Sequence, residues 1–440
     1  MPASTQDSRA TLSKSKVASI LGLLITALPF GVIAQGENRV SAGVSWSDNI
    51  NKAEFNEVED TIALIDLLVS QERESQLVDL SLEGSVGFRH FIEGSYDDEV
   101  VGDLVGTADF GIWEEYIRWL FDVRFETLML DPYRPDVPLN RDNLLSYSTG
   151  PDLAIPVAET LAIEVGGRYR VNNFEDSNTD NEVVVGLASL VKRLSQGSRV
   201  SLNFNHEEVD YDIDSDNTDY SRERAYLGFE RENAKGRLIL NAGGNRLEID
   251  GETYEGFYGV LRIDKNLTAR SIAYASIQHS YSDTSDEISL QLQNPGIEPG
   301  SNVTDVVVSG DPFEGRNFEI GISHDRYTSS WQLSAEYSEQ DYVNETSIDR
   351  SWYSVEASFS KMFGGGWRVG GEAEFRRGEL YEADRIDNDT ELTIGLARYL
   401  SRFLDVELAY TQSLRNSSEE TQDYKENRVT LTLGYSPRPN

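Results

Sequence analysis

The chain has no cysteine, so disulfides play no part in its fold, and crossing an oxidising compartment asks nothing of it. The same absence excludes a lipid anchor attached to an N-terminal cysteine. Cations are scarce: 39 Lys and Arg stand against 76 Asp and Glu, a formal net charge of -37. That balance argues against nucleic acid as a partner, because phosphate backbones are held by cations. Apolar residues make up only 39%, and beyond the N-terminus no run is long enough to span a bilayer as a helix. Either the protein is soluble, or its membrane-facing residues are hidden by alternation.

The N-terminus comes first. Arg9, Lys14 and Lys16 precede VASILGLLITALPFGVIA, from Val17 to Ala34. Pro29 and Gly31 break that run near its end, and Val32-Ile33-Ala34 before Gln35 resembles a cleavage site. Residues 1–34 therefore read as a secretory signal peptide, and residues 35–440 as one mature domain outside the cytoplasm.

What is present is alternation. In QLVDLSLEGSVGFRHF, from Gln76 to Phe91, the positions of Val78, Leu80, Leu82, Gly84, Val86 and Phe88 share one face, and those of Asp79, Ser81, Glu83, Ser85 and Arg89 the other. Strict alternation is a strand with one apolar and one polar side, here about twice the usual length of five or six residues. The pattern recurs from Val40 to Tyr435 in about 20 segments. Their connections sort by length. Short ones are Glu114-Glu115, Ser195–Ser198, Asn233–Gly236, Lys265-Asn266, Phe363–Gly366 and Ser401-Arg402. Longer polar ones lie between, including Asn173–Glu182, Asp210–Tyr220, Asp283–Gly315, Glu339–Arg350, Gly378–Asp389 and Ser413–Glu426. Aromatic residues cluster at the short turns (Trp113, Tyr116, Trp331, Phe363, Trp367, Tyr399, Phe403) and again near the long loops, as two membrane interfaces select.

These signals predict an all-β fold: a transmembrane antiparallel up-and-down β-barrel of about 20 strands, with short periplasmic turns and long acidic outer loops. The expected location is the outer membrane of a Gram-negative bacterium. Its neighbours there are lipid and lipopolysaccharide, and the terminal strand RVTLTLGY suits insertion by the barrel-assembly machinery. The residues divide into roughly 20 per strand and connection, which leaves no room for a plug domain.

Inward charges are uneven. Arg89, Arg118, Arg124, Arg168 and Arg170 form a basic wall in the first third; Glu336, Glu356, Glu372, Glu374, Glu391, Asp405 and Glu407 form an acidic wall in the last. Two readings stay open. Facing walls would set a transverse field across the lumen; alternatively, Asp79, Glu83, Asp103, Asp109, Asp122 and Glu164 neutralise the arginines locally. In one acidic loop, Asp212, Asp214, Asp216, Thr218, Tyr220 and Glu223 fall at calcium-loop spacing, although no helices flank them, so Ca2+ or another divalent cation is a weak expectation. Asp283–Gly315 is either an outer hairpin or an inward fold that narrows the pore. LDPYRPDVPLN, from Leu130 to Asn140, is stiffened by three prolines. Catalysis on a barrel needs an acid, base and nucleophile at one rim; His90, His206, His279 and His324 are the only histidines, and none sits in a His–Ser motif. The expectation is a non-enzyme.

Three stretches, SDNI (Ser47–Ile50), TGPDL (Thr149–Leu153) and RYRVNNFEDS (Arg168–Ser177), resemble the uncharacterised outer-membrane barrels associated with exosortase/PEP-CTERM systems, also grouped as β-barrel porins. The resemblance implies a role beside exopolysaccharide assembly: a channel for polysaccharide export, with polysaccharide and periplasmic export components as partners. Trp352 is the one aromatic platform the lumen offers a sugar. Two other readings remain: a general cation-preferring diffusion porin, and a structural or adhesive surface barrel.

Overall fold

The computed structural model describes residues 35–75, 77–113, 116–212, 217–284 and 308–437. Residues 1–34, read above as a signal peptide, lie outside these residues, as do Gln76, Glu114 and Glu115. Twenty strands follow in chain order: β1 Gln35–Ser47, β2 Asp60–Arg73, β3 Val78–Phe91, β4 Glu99–Trp113, β5 Ile117–Met129, β6 Arg141–Ala158 and β7 Leu161–Phe174. Then come β8 Asn181–Ser195, β9 Ser198–Tyr211, β10 Tyr220–Asn233, β11 Gly236–Ile249, β12 Glu252–Thr268, β13 Ser271–Ser282 and β14 Phe313–Arg326. The last are β15 Ser329–Tyr342, β16 Arg350–Phe363, β17 Trp367–Leu380, β18 Arg385–Tyr399, β19 Leu404–Ser417 and β20 Tyr424–Tyr435. Each pairs antiparallel with its sequence neighbours, and β1 pairs with β20 from Val40↔Tyr435 to Ser47↔Arg428. The sheet is thereby closed.

Closure explains the alternation. In hydrocarbon every backbone N–H and C=O needs a partner, and a closed ladder supplies one without leaving an edge. Outward residues are large and apolar: Phe88, Phe121, Leu202, Phe257, Ile320, Phe359, Ile394 and Leu431 are each 40–56% exposed. Facing water, such a girdle would be an aggregation surface; facing lipid, it holds the barrel in the membrane. Polar partners on alternate positions turn inward, so the chain is a transmembrane barrel.

One glycine is required by the sheet. Gly84 on β3 sits at φ +130°, and a Cβ there would overlap the carbonyl oxygen of Asp103 on β4. Gly84→Ala should lower the unfolding free energy by about 1–3 kcal/mol, read from the urea midpoint of the refolded barrel.

Three turns differ from the sequence reading. Lys265 and Asn266 lie inside β12, which continues to Thr268; polar residues outside the lipid zone extend a strand as readily as they end it. At the opposite end, β11 and β12 are joined by Asp250 and Gly251 alone, at φ 54° and 76°. This is a two-residue hairpin turn in which both residues take left-handed backbone, and residues 381–384 between β17 and β18 are likewise a tight four-residue turn where the sequence reading had a long loop.

Most of the buried apolar residues lie inside the barrel toward its long-loop end, Val69 and Ala397 being buried nearer the short turns. Leu128, Leu144 and Phe174 form one cluster. Val183, Val209, Tyr220, Leu247 and Ile249 form a second, and Ile50, Ile62 and Phe91 a third. All stand at inward positions near strand ends, so the mouth is packed like a core.

Candidate functional site

Two connections fold into that mouth. Residues 130–140 leave β5 and cross toward β16 and β18. The Tyr133 hydroxyl donates to the Ser347 carbonyl, and Arg385 donates to the Tyr133 carbonyl at 2.6 Å. The Asn140 side chain donates to the carbonyl of Asp131 at 2.8 Å, fixing the turn from inside. Arg141 grips Asp136 through two bonds of 2.6 and 3.0 Å.

The β13–β14 connection also turns inward at both described ends. Asp283 accepts from the Tyr220 hydroxyl at 2.5 Å and lies 3.2 Å from Arg222. On the return, Val308 packs against the Leu128 cluster and donates its N–H to the Met129 carbonyl at 2.9 Å. Gly310 accepts from the Tyr211 hydroxyl at 2.8 Å. Asp311 accepts from the backbone of Asn344 and Glu345 at 2.7 and 2.8 Å. Residues 308–312 are therefore a strap tied to β5, β9 and the β15–β16 connection. Of the alternatives open for Asp283–Gly315, the described ends follow the inward one; NPGIEPGSN lies outside the described residues.

The mouth electrostatics favour this closed packing. Burial raises the Asp136 carboxyl, but Arg141, then Lys52 and Arg428, outweigh it and hold it well below the usual carboxylate range. Its side chain is still 29% open to water, so the arginine contact rather than full desolvation governs it. Burial lowers the Lys52 ammonium, yet Tyr424, Asp136 and Glu426 together keep it above its ordinary value. A depressed acid contributes stability above its unfolded pKa and loses it as pH falls through the folded value. A raised lysine contributes below its unfolded pKa and loses it as pH rises through the folded value. Loop order, read as single-channel noise, should therefore be constant from about pH 4 to about pH 10.

The five predicted wall arginines all point into the lumen, each facing a carboxylate. Arg89 meets Asp66 at 2.6 Å, Arg118 meets Asp109 at 2.6 Å, Arg124 meets Glu126 at 2.6 Å and Arg168 meets Asp152 at 2.7 Å. Arg170 lies 3.9 Å from Glu207. Two members of the acidic wall are likewise neutralised, Asp405 by Arg39 at 2.5 Å and Glu407 by Arg368 at 3.1 Å. Of the two open readings these contacts follow local pairing, through Asp66, Glu126, Asp152 and Glu207 as well as the expected Asp109.

The other five carboxylates come together. Glu356 on β16, Glu374 on β17 and Glu391 on β18 are direct cross-strand neighbours, and Glu372 lies two residues from Glu374. Glu336 on β15 pairs directly with Glu319 on β14, which the sequence reading passed over although its place between Phe318 and Ile320 marks it as inward. The acids form an arc across five adjacent strands. Neutral groups donate to them: Asn317 to Glu336 at 2.5 Å, Tyr274 to Glu319 at 2.8 Å and Ser413 to Glu391 at 2.9 Å. The arc lines a cavity of about 690 Å³ that carries eight carboxylates and two arginines. Both arginines stand beside other acids, Arg237 at 2.8 Å from Glu230 and Arg262 at 3.2 Å from Asp264. Two like charges about 5 Å apart repel by roughly 3 kcal/mol at an effective dielectric of 20, so the cavity draws in cations.

Other candidates fare differently. Tyr220 points inward to Asp283 while Glu223, three residues on, faces outward beside His206 at 3.5 Å. The structure therefore does not bring Tyr220 and Glu223 together; Asp214 and Asp216 lie outside the described residues. Trp352 is buried between the guanidinium groups of Arg350 at 4.8 Å and Arg376 at 5.1 Å, so neither face is offered to a sugar. Three histidines pair with acids: His90 with Asp98, His206 with Glu208 and Glu223, His279 with Glu314. His324 meets the Ser271 hydroxyl at 2.8 Å, a contact no sequence motif signalled, without a carboxylate partner among the described residues.

No family model matches the chain, and no curated protein matches it. Among solved structures it is similar to OccK2 (OpdF) from Pseudomonas aeruginosa, at 12% identity and a TM-score of 0.38, covering 92% of this chain and 98% of that one. The copper transporter OprC is similar at 10% identity and a TM-score of 0.44, covering 92% and 81%. The ferric citrate transporter FecA is similar at 9% identity and a TM-score of 0.44, covering 92% and 79%. The likeness is one of fold.

Proposed function

We propose that this barrel is an outer-membrane channel that passes small cationic solutes in preference to anions. The supporting observation is the carboxylate arc of β14–β18 around a cavity of about 690 Å³. Rings of acidic side chains select cations by raising their local concentration and lowering that of anions. The mouth supports the same reading, since two inward connections admit small solutes more readily than a polymer strand. Export of exopolysaccharide rests on the family resemblance alone.

The test is the zero-current potential of the refolded barrel in a planar bilayer under a KCl gradient. A potential of the sign set by K+ flux is expected, and one of the Cl- sign would overturn the reading. A barrel silent to salt until polysaccharide and periplasmic components are added would favour export.

A further inference from the structure

At its short-turn end the barrel carries a charge pattern opposite to the rest of the molecule. On six alternate strands, β8, β10, β12, β14, β16 and β18, stand Lys192, Arg231, Lys265, Arg326, Lys361 and Arg398. Each is exposed and points to the lipid side, two residues beyond an outward residue such as Leu190, Ile263 or Leu396, which are 42–44% exposed. None of the six makes an ion pair among the described residues. The contrast is with the interior, where Arg39, Arg89, Arg118, Arg168 and Arg262 all meet acids. With nearly two acidic residues for every basic one, six successive unpaired cations on one circumference are not what chance placement gives.

Their depth is set by aromatic neighbours. Lys361 lies 5.5 Å from the Phe363 ring and Arg398 5.0 Å from the Trp367 ring, both rings belonging to the interfacial girdle. Alternate strands are about 10 Å apart, so each cation meets a different lipid. After β6 the corresponding turn carries Glu159, which confines the row to the β8–β18 sector.

We infer that this row is a binding surface for the phosphate groups of anionic phospholipids in the leaflet that meets the short turns. A lysine or arginine at an anionic interface gains from both the surface potential and direct phosphate contact, and its aliphatic stem lies along the lipid while the charge stays at the headgroup. The row also works against tilting, because it pins half the circumference at one depth.

The experiment reconstitutes the full chain in vesicles of phosphatidylcholine and phosphatidylglycerol, with a spin label on one lipid at a time, and measures the motionally restricted fraction of each. Phosphatidylglycerol should be retained over phosphatidylcholine by roughly threefold in the first lipid shell, falling toward parity at high salt. The combined variant Lys192→Gln, Arg231→Gln, Lys265→Gln, Arg326→Gln, Lys361→Gln and Arg398→Gln should lose the preference. If it does not refold, separate lysine and arginine triple variants should each keep about half. Equal retention in the wild type, or a preference surviving the substitutions, overturns the proposal. So does displacement by millimolar inorganic phosphate, which would make the surface a free-anion site. Channel selectivity, read in the same protein, is expected to be unchanged.

Discussion

Replacing Glu356, Glu374 and Glu391 together by glutamine is expected to abolish most of the cation preference while leaving the pore open. The three are direct cross-strand neighbours on β16, β17 and β18, so their fields add at one level of the lumen. Strand spacing puts adjacent carbons of these side chains about 5 Å apart, inside a Debye length of about 8 Å at physiological salt. Glutamine keeps the volume and the hydrogen-bonding carbonyl, so size exclusion should not change. The K+ over Cl- permeability ratio should fall about tenfold, as the loss of some 1.4 kcal/mol of differential potential would give, and the difference should shrink in concentrated salt. Unchanged selectivity with unchanged conductance would mean that ions travel along another part of the lumen, and the arc would lose its role. Single substitutions separate the contributions: Glu374, flanked on both sides, should matter most.

The fold was legible because a membrane barrel writes its geometry into period two. Phe318, Ile320 and Ile322 predict which way Glu319 points as firmly as coordinates do, and the strand count follows from repeating that step. The arc was partly legible for the same reason: Glu336, Glu356 and Glu374 sit between outward apolar residues, and Glu391 precedes the outward Leu392. Pairing was not. Arg124 finds Glu126 two residues along its own strand, whereas Arg170 approaches Glu207 two strands away, and Arg39 finds Asp405 across the closing seam. Alternation gives the face of a residue but not its partner along the circumference. The mouth was least legible, since loops obey no period: nothing in LDPYRPDVPLN states that Tyr133 will reach Ser347. The tight Asp250–Gly251 turn was visible in principle, because Asp-Gly between alternating runs is a hairpin signal.

Arg222→Met is expected to loosen the mouth more than any other single change. Arg222 is 1% exposed and lies between two carboxylates, Glu207 at 2.5 Å and Asp283 at 3.2 Å. Asp283 in turn accepts from the buried Tyr220 hydroxyl, and the Tyr281 carbonyl accepts from both Arg222 and Arg224 at 3.3 and 3.1 Å. This cluster fastens the root of the β13–β14 connection to the inner wall of β9 and β10. Taking the cation away leaves Asp283 without the Arg222 guanidinium and Glu207 with Arg170 at 3.9 Å, which costs up to about 3–5 kcal/mol when both acids stay in place. The acids are not equally held, however. Glu207 belongs to a paired strand, while Asp283 stands just past the end of β13 and can swing to water. The expected result is therefore local: a higher and noisier single-channel conductance, faster cleavage of the β13–β14 connection by added protease, and an unfolding free energy reduced by less than the full about 3–5 kcal/mol. Adding Asp283→Asn to the same chain should restore most of the stability, because Glu207 keeps Arg170 as its cation and the neutral amide no longer buries a charge. A variant with wild-type conductance and a uniformly lowered unfolding midpoint would show that the cluster stabilises the barrel wall and does not hold the mouth.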